Sequence, residues 1–320
     1  MIEVLMIQSS DLVFCGTPGF AVPTLEKLVE AGFKVRLVLT QPDRPKGRGL
    51  DLVAPPVKRS AEKLGLLIYQ PEKIKQNEEL RTKLAAIRPE AIIVVGYGRI
   101  IPLWMLQLPL LGNINLHGSL LPKYRGAAPI QWAIANGETV TGVTTMRIDE
   151  GLDTGDILLQ RELAISDQET AETLSPKLAA IGADLMIETL RGLQAGTIQL
   201  QKQDNAHATL APILKKEDGS IDFGRSAQEI CNRFRGFQPW PGAFTSFRGK
   251  GLNLTALKLA SEQVPQGQLL VGNGHVFAGC GNHSAVELLE VQPEGKKRMS
   301  ASDFVHGYRP QMGDRLGVGS

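Results

Sequence analysis

The feature that most constrains the fold is an alternation of short apolar strands with helices near the start of the chain. An apolar run at 12–15 ends in a glycine-containing turn at 16–19. Apolar residues at helical spacing follow between Val22 and Val29, and a segment rich in β-branched residues covers 35–40. A strand, a tight turn, a helix and a second strand in this order are typical of a β-α-β unit with parallel strands.

The same alternation continues and predicts a doubly wound α/β domain. Strand-like segments cover 91–97 and 112–118, and a helical pattern lies around 76–87. A dinucleotide site is not favoured, because the first turn reads G-T-P-G-F where G-x-G-x-x-G would be needed. The second strand also lacks the acidic residue at its end that binds a ribose hydroxyl.

The second part of the chain has a different pattern, which predicts a small β-barrel. A long helical region covers 168–195, with an interruption at Ser175-Pro176. Ser226 and Glu229 form a capping box that opens a short helix. Short β-like segments separated by glycines follow, as in a barrel, and the domain boundary is expected near 200–210.

Composition narrows the class of protein. A length of 320 residues predicts two domains, and the charges are nearly balanced at 35 Lys+Arg against 33 Asp+Glu. Cys15, Cys231 and Cys280 are far apart, which predicts three reduced thiols in a cytoplasmic protein. No run of 18 apolar residues and no basic leader is present, so neither a membrane span nor a signal peptide is expected.

The densest chemical signal lies between Asn113 and Ile157. Asn115 and His117 are two positions apart on a predicted strand, so their side chains share a face, and Asp153 follows in a glycine-flanked turn. An amide donor with an acid–base pair suits acyl transfer, and without a serine or cysteine nucleophile motif an amine would attack directly. A purely structural role for these side chains stays open from the residues alone. No zinc-like spacing of histidines or cysteines is present, and no metal is expected.

Two motifs in this region resemble those of the 10-formyltetrahydrofolate-dependent formyltransferases. They are N-x-H-x-S-L-L-P at 115–122 and G-V-T-x-x-x-x-D-x-G-L-D-x-G-D-I at 142–157. Three more segments resemble the branch that acts on methionyl-tRNA. They are F-C-G-T-P-G-F-A-V at 14–22, T-Q-P-D-R-P-K-G-R-G at 40–49 and G-F-Q-P-W-P-G-A at 236–243.

The resemblance implies a Rossmann-like catalytic formyltransferase domain at 1–206 and an OB-like tRNA-binding barrel at 207–320. It implies that Asn115 and His117 bind the formyl oxygen, and that Asp153 orients His117 and assists proton transfer. The co-substrate 10-formyltetrahydrofolate would lie along a set of residues at strand ends, namely Gly96, Tyr97, Gly98, Ser119, Leu120, Leu121 and Pro122. Core packing is the alternative for the two leucine side chains.

The implied partner is initiator methionyl-tRNA, bound by a monomer away from any membrane. Basic residues in both domains are the candidate tRNA contacts, namely Arg44, Lys46, Arg48, Lys123, Arg125, Lys215, Lys216, Lys296, Lys297 and Arg298. Scattered solubilising charge is the alternative for any one of them.

Three competing functions stay open at this point. A formyltransferase acting on an amino sugar or another small amine would use the same catalytic residues. A formyltetrahydrofolate hydrolase would use water in place of the amine. An RNA-binding module with an inactive α/β half is disfavoured, because the Asn115, His117 and Asp153 set is intact.

Substitution of Arg48 tests the tRNA part of this interpretation. The segment 41–52 follows the second strand, on the side where the carboxyl ends of the strands place the site. An arginine offers a planar set of donors that a lysine cannot reproduce. In a steady-state formylation assay we expect Arg48→Ala to slow formylation of methionyl-initiator tRNA without weakening folate binding, and Arg48→Lys to recover only part of the rate. Formylation at the parent rate by Arg48→Ala would remove this residue from the recognition surface.

Overall fold

The structure is a computed structural model that describes residues 11–46, 51–272 and 274–317. Its strands in chain order are β1 Asp11–Gly16, β2 Lys34–Leu39, β3 Arg44–Lys46, β4 Asp51–Val53, β5 Ile68–Tyr69, β6 Ala91–Val95, β7 Asn113–His117, β8 Arg125–Gly126, β9 Val140–Arg147, β10 Ile157–Ala164, β11 Leu210–Ala211, β12 Phe244–Phe247, β13 Lys250–Ala260, β14 Leu269–Gly272, β15 His275–Gly279, β16 Ala285–Pro293 and β17 Met299–Ser300. Its α-helices are α1 Val22–Glu30, α2 Pro56–Lys63, α3 Glu78–Ile87, α4 Leu103–Leu106, α5 Pro129–Ala135, α6 Ala171–Gln194, α7 Ala227–Gly236 and α8 Ala301–Tyr308.

The chain forms two compact units. The first comprises Met1–Pro129, Val140–Ala164 and Ser175–Ala211, and the second comprises Ile130–Thr139, Ile165–Leu174 and Pro212–Ser320. Two short segments from the predicted first domain therefore pack with the second unit. The functional division at 206/207 stays a prediction, because compactness does not assign roles.

The first unit contains a seven-stranded sheet in the order β10-β9-β7-β6-β1-β2-β5, which confirms the predicted α/β class. The strands from β7 to β5 in this order run parallel, and β9 and β10 add an antiparallel edge. The chain builds outward from β1 in one direction and from β6 in the other, so the sheet has a switch point between these two strands. Both strands are buried along almost their whole length, as parallel strands covered on both faces require.

Helix α6 is continuous, and the predicted interruption at Ser175-Pro176 is wrong. Pro176 lies only six positions into a helix of 24 residues, so it removes one early backbone hydrogen bond and leaves the rest of the ladder intact. Farther along, Gly182 lets the helix approach the sheet closely. A Cβ at that position would lie 2.7 Å from Cδ2 of Leu116 on β7.

The second unit is an antiparallel sheet in the order β12-β13-β16-β15-β14, with β17 paired to β16. Bridges from Phe247 to Leu316 and from Gln268 to Arg315 join the two edges of this sheet through the C-terminal segment. The predicted β-strands of the second part are thus confirmed, and the tail closes the sheet. Closure matters because an open edge would expose unpaired backbone groups.

Helices α7 and α8 both contribute side chains to the core of the second unit. The predicted capping box is present, since the Ser226 hydroxyl accepts from the Glu229 amide and the Glu229 carboxylate accepts from the Ser226 amide at 2.9 Å. Helix α7 then buries Ile230 in a cluster with Val276 and Phe304. The cap satisfies free amides at the helix start and so fixes where the helix begins.

Three further observations concern the cysteines, the helices and possible metal ligands. Cys15, Cys231 and Cys280 are free and buried, and burial raises the pKa of the Cys231 thiol to about 11 and that of the Cys280 thiol to about 12. None of the helices in the described ranges is long and apolar enough to cross a membrane. Within those same ranges, no three His, Cys, Asp or Glu residues are grouped in a way that would hold a metal ion.

Truncation of Leu316 tests whether the C-terminal segment stabilises the second unit. Leu316 is only 3% exposed and packs in the core of the closed sheet. We expect Leu316→Ala to lower the free energy of unfolding by about 2–5 kcal/mol, the range for truncating a buried leucine. The measurement is urea denaturation followed by circular dichroism. The matched control is Met312→Ala, since Met312 is 75% exposed. A loss of unfolding free energy in Leu316→Ala no larger than that in Met312→Ala would show that the closing segment adds little stability.

Candidate functional site

Strand β7 presents the first two candidate catalytic residues. Side chains alternate along a strand, so Asn115 and His117 share one face while Ile114 and Leu116 point to the other. Ile114 and Leu116 are 0% and 3% exposed, and they anchor the strand in the core. The apolar half of the alternation therefore fixes the direction of the polar half.

The ring of His117 is held in one orientation. It is 5% exposed, and its Nε2 lies 2.9 Å from the carbonyl oxygen of Tyr124. A carbonyl oxygen only accepts hydrogen bonds, so Nε2 carries the proton. The other nitrogen, Nδ1, lies 3.7 Å from Oδ2 of Asp153. This contact is longer than a direct hydrogen bond but within the range of an ion pair once His117 is protonated.

Asp153 lies in the turn between β9 and β10 and adopts a φ of 51°. Its Oδ2 accepts a hydrogen bond of 2.8 Å from the backbone amide of Gly126. Its backbone carbonyl accepts another of 2.8 Å from Nε2 of Gln203. Backbone and side chain are thus both fixed, and the carboxylate is turned toward His117.

The turn itself is built from its own sequence. The Asp149 carboxylate accepts from the amide of Gly151 at 3.0 Å and from the hydroxyl of Thr154. Gly155 passes so close to the Arg147 carbonyl that a Cβ there would overlap it. The spacing of aspartates and glycines in this motif is therefore what lets the chain reverse so tightly.

Asn115 differs from its neighbours on the strand because its amide is not used by the fold. The residue is partly exposed, and within 11–46, 51–272 and 274–317 its side chain makes no hydrogen bond. Asn113, two positions earlier, instead donates to the carbonyls of Met105 and Leu106. The site thus combines an unused amide donor with a histidine and a carboxylate, a set suited to acyl transfer.

The predicted folate residues at 96–98 follow β6, beside the switch point of the sheet. Gly96 and Gly98 are exposed, and a Cβ at Gly98 would meet only the amide of Gln41, at 3.9 Å. The Tyr97 ring instead belongs to the core and is 2% exposed, and this burial raises the pKa of its hydroxyl. The Tyr97 carbonyl accepts from the hydroxyl of Thr17 and from the Gln41 amide. This end of β6 therefore presents exposed backbone beside the Pro18 ring, which lies 2.9 Å from the position of a Cβ at Gly96.

The second folate segment is a turn fixed by internal hydrogen bonds. Ser119 is fully buried and its hydroxyl donates to the carbonyl of Lys123 at 2.6 Å. The hydroxyl of Thr144 donates to the Ser119 carbonyl at 2.7 Å, and Gln160 donates to the carbonyl of Leu121 at 2.9 Å. The Leu121 side chain is buried in the core, while Leu120 and Pro122 are only partly buried. The turn is thus a fixed surface whose polar groups are mostly committed.

The segment predicted to contact phosphates after β2 contains an antiparallel pair of short strands, β3 and β4. Arg44 begins β3, is exposed, and lies 3.5 Å from the Glu72 carboxylate. Lys46 is the last residue of β3. Arg48 lies outside the described residues.

The structure corrects the expected position of Arg125. As candidate tRNA contacts, Lys123 and Arg125 are both expected to be exposed. Lys123 is exposed, but Arg125 is only 7% exposed. Its guanidinium donates two hydrogen bonds, of 3.0 and 2.8 Å, to Oε1 of Gln203 and one of 2.9 Å to Asn205. An arginine committed to internal acceptors supports the site from within.

The remaining predicted cations lie on the second unit. All five are exposed, and Arg298 lies 3.8 Å from the Glu290 carboxylate. They are Lys215, Lys216, Lys296, Lys297 and Arg298. Their exposure leaves them accessible to a polyanion.

Sequence analysis missed the residues that hold the site from outside the two motifs. Gln203 contacts Asp153, Gly155 and Arg125, although it precedes the predicted second domain by only a few residues. A single glutamine in a polar stretch has no spacing that indicates such a role. Only the fold brings it to the turn.

Comparison with known proteins gives two family matches. Residues 11–190 match the model described as formyl transferase, and residues 213–309 match formyl transferase, C-terminal domain. Two relatives carry the name methionyl-tRNA formyltransferase. The protein from Koribacter versatilis is 63% identical over 96% of this chain and 98% of its own length. The protein from Acidobacterium capsulatum is 62% identical over 96% and 99%.

Solved structures with a similar fold are more distant in sequence. An N-formyltransferase from Helicobacter canadensis, in complex with folinic acid and dTDP-3-aminofucose, has a TM-score of 0.65 and 20% identity, covering 88% of this chain and 98% of its own. HypX from Aquifex aeolicus, in complex with tetrahydrofolic acid, has a TM-score of 0.61 and 16% identity, covering 92% of this chain and 46% of its own. At these identities the likeness concerns the fold alone.

Proposed function

Because this chain belongs to the formyl transferase family, we propose that it moves the formyl group of 10-formyltetrahydrofolate to the free amino group of methionyl-initiator tRNA. The observation that carries the chemistry is the grouping of an unused Asn115 amide with His117 and Asp153 at the carboxyl ends of the sheet. The acceptor follows from the relatives named methionyl-tRNA formyltransferase, which are up to 63% identical over nearly the whole chain.

The residues at the strand ends fit the co-substrate. A pterin is flat and is bound best between apolar walls with a few fixed donors and acceptors. The exposed backbone at Gly96 and Gly98, with the Pro18 ring beside Gly96, and the fixed turn from Ser119 to Pro122 offer such walls. When bound, 10-formyltetrahydrofolate supplies a formyl carbon attached to nitrogen. The partly exposed Asn115 amide would donate a hydrogen bond to the formyl oxygen.

Asn115 and His117 would act on the two charges that develop during transfer. The Asn115 amide donates to the formyl oxygen as negative charge develops there, and loss of one such donor typically costs ~10²–10³ in rate. His117 keeps its Nε2 proton on the Tyr124 carbonyl, so Nδ1 would accept the proton of the attacking amine and return it to the tetrahydrofolate nitrogen as the bond between that nitrogen and the formyl carbon breaks. No side chain needs to form a covalent bond to the formyl group.

Asp153 would stabilise the charged form of His117. Its carboxylate lies 3.7 Å from Nδ1, close enough to attract a proton-bearing ring and to pass the proton on through one water molecule. Its remaining hydrogen bond, from the Gly126 amide, holds the carboxylate in place without neutralising it. The pair is therefore arranged to take up a proton and release it again.

The second unit would contribute tRNA binding. Its exposed cations Lys215, Lys216, Lys296 and Lys297 are available for phosphate contacts, which dominate the affinity of proteins for nucleic acids. Lys123 and Arg44 of the first unit would add contacts near the acceptor end. We assign catalysis to 1–206 and tRNA binding to 207–320, in a cytoplasmic monomer.

The acceptor is tested by offering several amines in parallel. Purified protein with 10-formyltetrahydrofolate is given methionyl-initiator tRNA, methionyl-elongator tRNA, amino sugar nucleotides or buffer alone. We expect transfer to methionyl-initiator tRNA at a kcat/KM far above the others, measured as formylated product. Transfer chiefly to an amino sugar nucleotide would indicate the small-amine function, and formate release in buffer alone would indicate the hydrolase.

The role of Asp153 is tested by removing its charge. Asp153→Asn keeps the volume and an oxygen for the Gly126 amide, so the turn is retained. We expect kcat for formyl transfer to fall by ~10² or more, since general acid–base groups contribute about 10²–10⁴. Folate affinity, measured by fluorescence titration, should change little.

Asp149→Asn is the matched control for this prediction. It removes a carboxylate from the same turn, where Asp149 binds Gly151 and Thr154, and in the part of the chain that the structure describes no hydrogen bond or ion pair joins Asp149 to His117. A turnover near that of the parent in Asp153→Asn, or equal losses in both variants, would contradict the acid–base assignment.

A further inference from the structure

A short segment outside both sequence motifs supports the acid–base pair of His117 and Asp153. Residues 203–211 run alongside the 122–128 loop, where β8 and β11 pair in parallel. The Thr209 backbone accepts from the Arg125 amide at 2.8 Å and donates to the Pro122 carbonyl. The Ala128 amide donates to the Ala211 carbonyl. The segment is therefore fixed to the loop that supplies partners to both His117 and Asp153.

Gln203 occupies the centre of this arrangement. Its Oε1 accepts from Nε and Nη2 of Arg125, and its Nε2 donates to the carbonyls of Asp153 and Gly155, both at 2.8 Å. A guanidinium has only donors and a carbonyl has only acceptors, so the amide can face these groups in one orientation alone. All four hydrogen-bonding positions of the side chain are used.

We propose that Gln203 is a positioning residue that holds Asp153 in the conformation needed for proton transfer. This inference rests on the proposed function. One nitrogen clamps the carbonyls of Asp153 and Gly155, which forces the two peptide groups to point the same way. The φ of 51° at Asp153 is sparsely populated by non-glycine residues, so it needs such external support.

The clamp acts on the side chain through the backbone. The Asp153 carboxylate accepts a hydrogen bond from the Gly126 amide, and Gly126 pairs with Ala211 of the same segment. Residues 203–211 thus fix the Asp153 backbone directly and its carboxylate through Gly126. The distance of 3.7 Å between Asp153 and His117 depends on both supports.

Arg125 has a defined place in this arrangement. It is buried, and among the described residues its guanidinium donates hydrogen bonds to Gln203 and Asn205. Its two bonds to Oε1 set the rotation of the Gln203 amide, which presents the nitrogen to the turn. The contact with Asn205 steadies Arg125 but does not reach Asp153.

The test compares substitutions that separate these contacts. Gln203→Leu keeps the volume and removes all four hydrogen bonds. Gln203→Glu keeps an acceptor for Arg125 but replaces the donor that faces the carbonyls of Asp153 and Gly155. Asn205→Ala is the matched control, because it removes one Arg125 contact and leaves the Asp153 contacts in place.

Steady-state formylation should show a loss in kcat for both Gln203 variants. We expect a fall of ~10–10², as follows when a reacting group is displaced by about 1 Å, with KM for each substrate within about twofold of the parent. Asn205→Ala should stay near the parent. If the role of Gln203 were only to anchor Arg125, the Gln203→Glu variant would keep the parent rate, and this outcome would overturn the proposal.

A double-substitution cycle gives a readout that simple destabilisation would not move. In the Asp153→Asn background, Gln203→Leu should cause little further loss of kcat, because the group it positions is already inactive. Fully additive losses would contradict the proposal. Formylation by the parent is measured first, so an inactive parent counts against the proposed function, and a Gln203→Leu variant at the parent kcat counts against the positioning role alone.

Discussion

The pairing of β7 with β6 on one side and β9 on the other is the constraint on which the rest of the site depends. Asn115 is opposite Val94 and Met146, and His117 is opposite Thr144. A slip of one residue would turn Asn115 and His117 into the core and Ile114 outward. The buried apolar residues of β7 make that slip costly, so hydrophobic burial fixes the direction of the polar side chains.

Polar contacts around the site then set the distance of 3.7 Å between His117 and Asp153. The sheet places the start of the β9–β10 turn beside Ile114, where Arg147 pairs, so the turn must fold back for Asp153 to reach His117, and the sheet does not orient the Asp153 carboxylate. Gly126, Gln203 and the buried Arg125 do so with charged and neutral hydrogen bonds in an environment where unsatisfied groups are costly. The position of Asp153 therefore depends on the hydrogen bonds of residues that would not touch the substrate.

The two units solve different structural problems. The first uses a mainly parallel sheet, whose switch point lies between β1 and β6 and leaves open space at Gly98. The second uses an antiparallel sheet whose edges are joined by the bridges at Arg315 and Leu316. The second unit carries exposed cations on a closed scaffold, while the first holds His117 within 3.7 Å of Asp153.

The sequence by itself determined the main strands of both units and the candidate catalytic residues, but not short elements such as β3 and β4. Strand and helix limits such as those of β7 and α7 follow from local periodicity and capping, which a linear chain displays directly. Tertiary structure decided the burial of Arg125, the role of Gln203 and the continuity of α6. Gln203 lies 50 residues from Asp153 and 78 from Arg125 along the chain. Such contacts depend on packing across the fold, because no local rule of spacing relates residues that far apart.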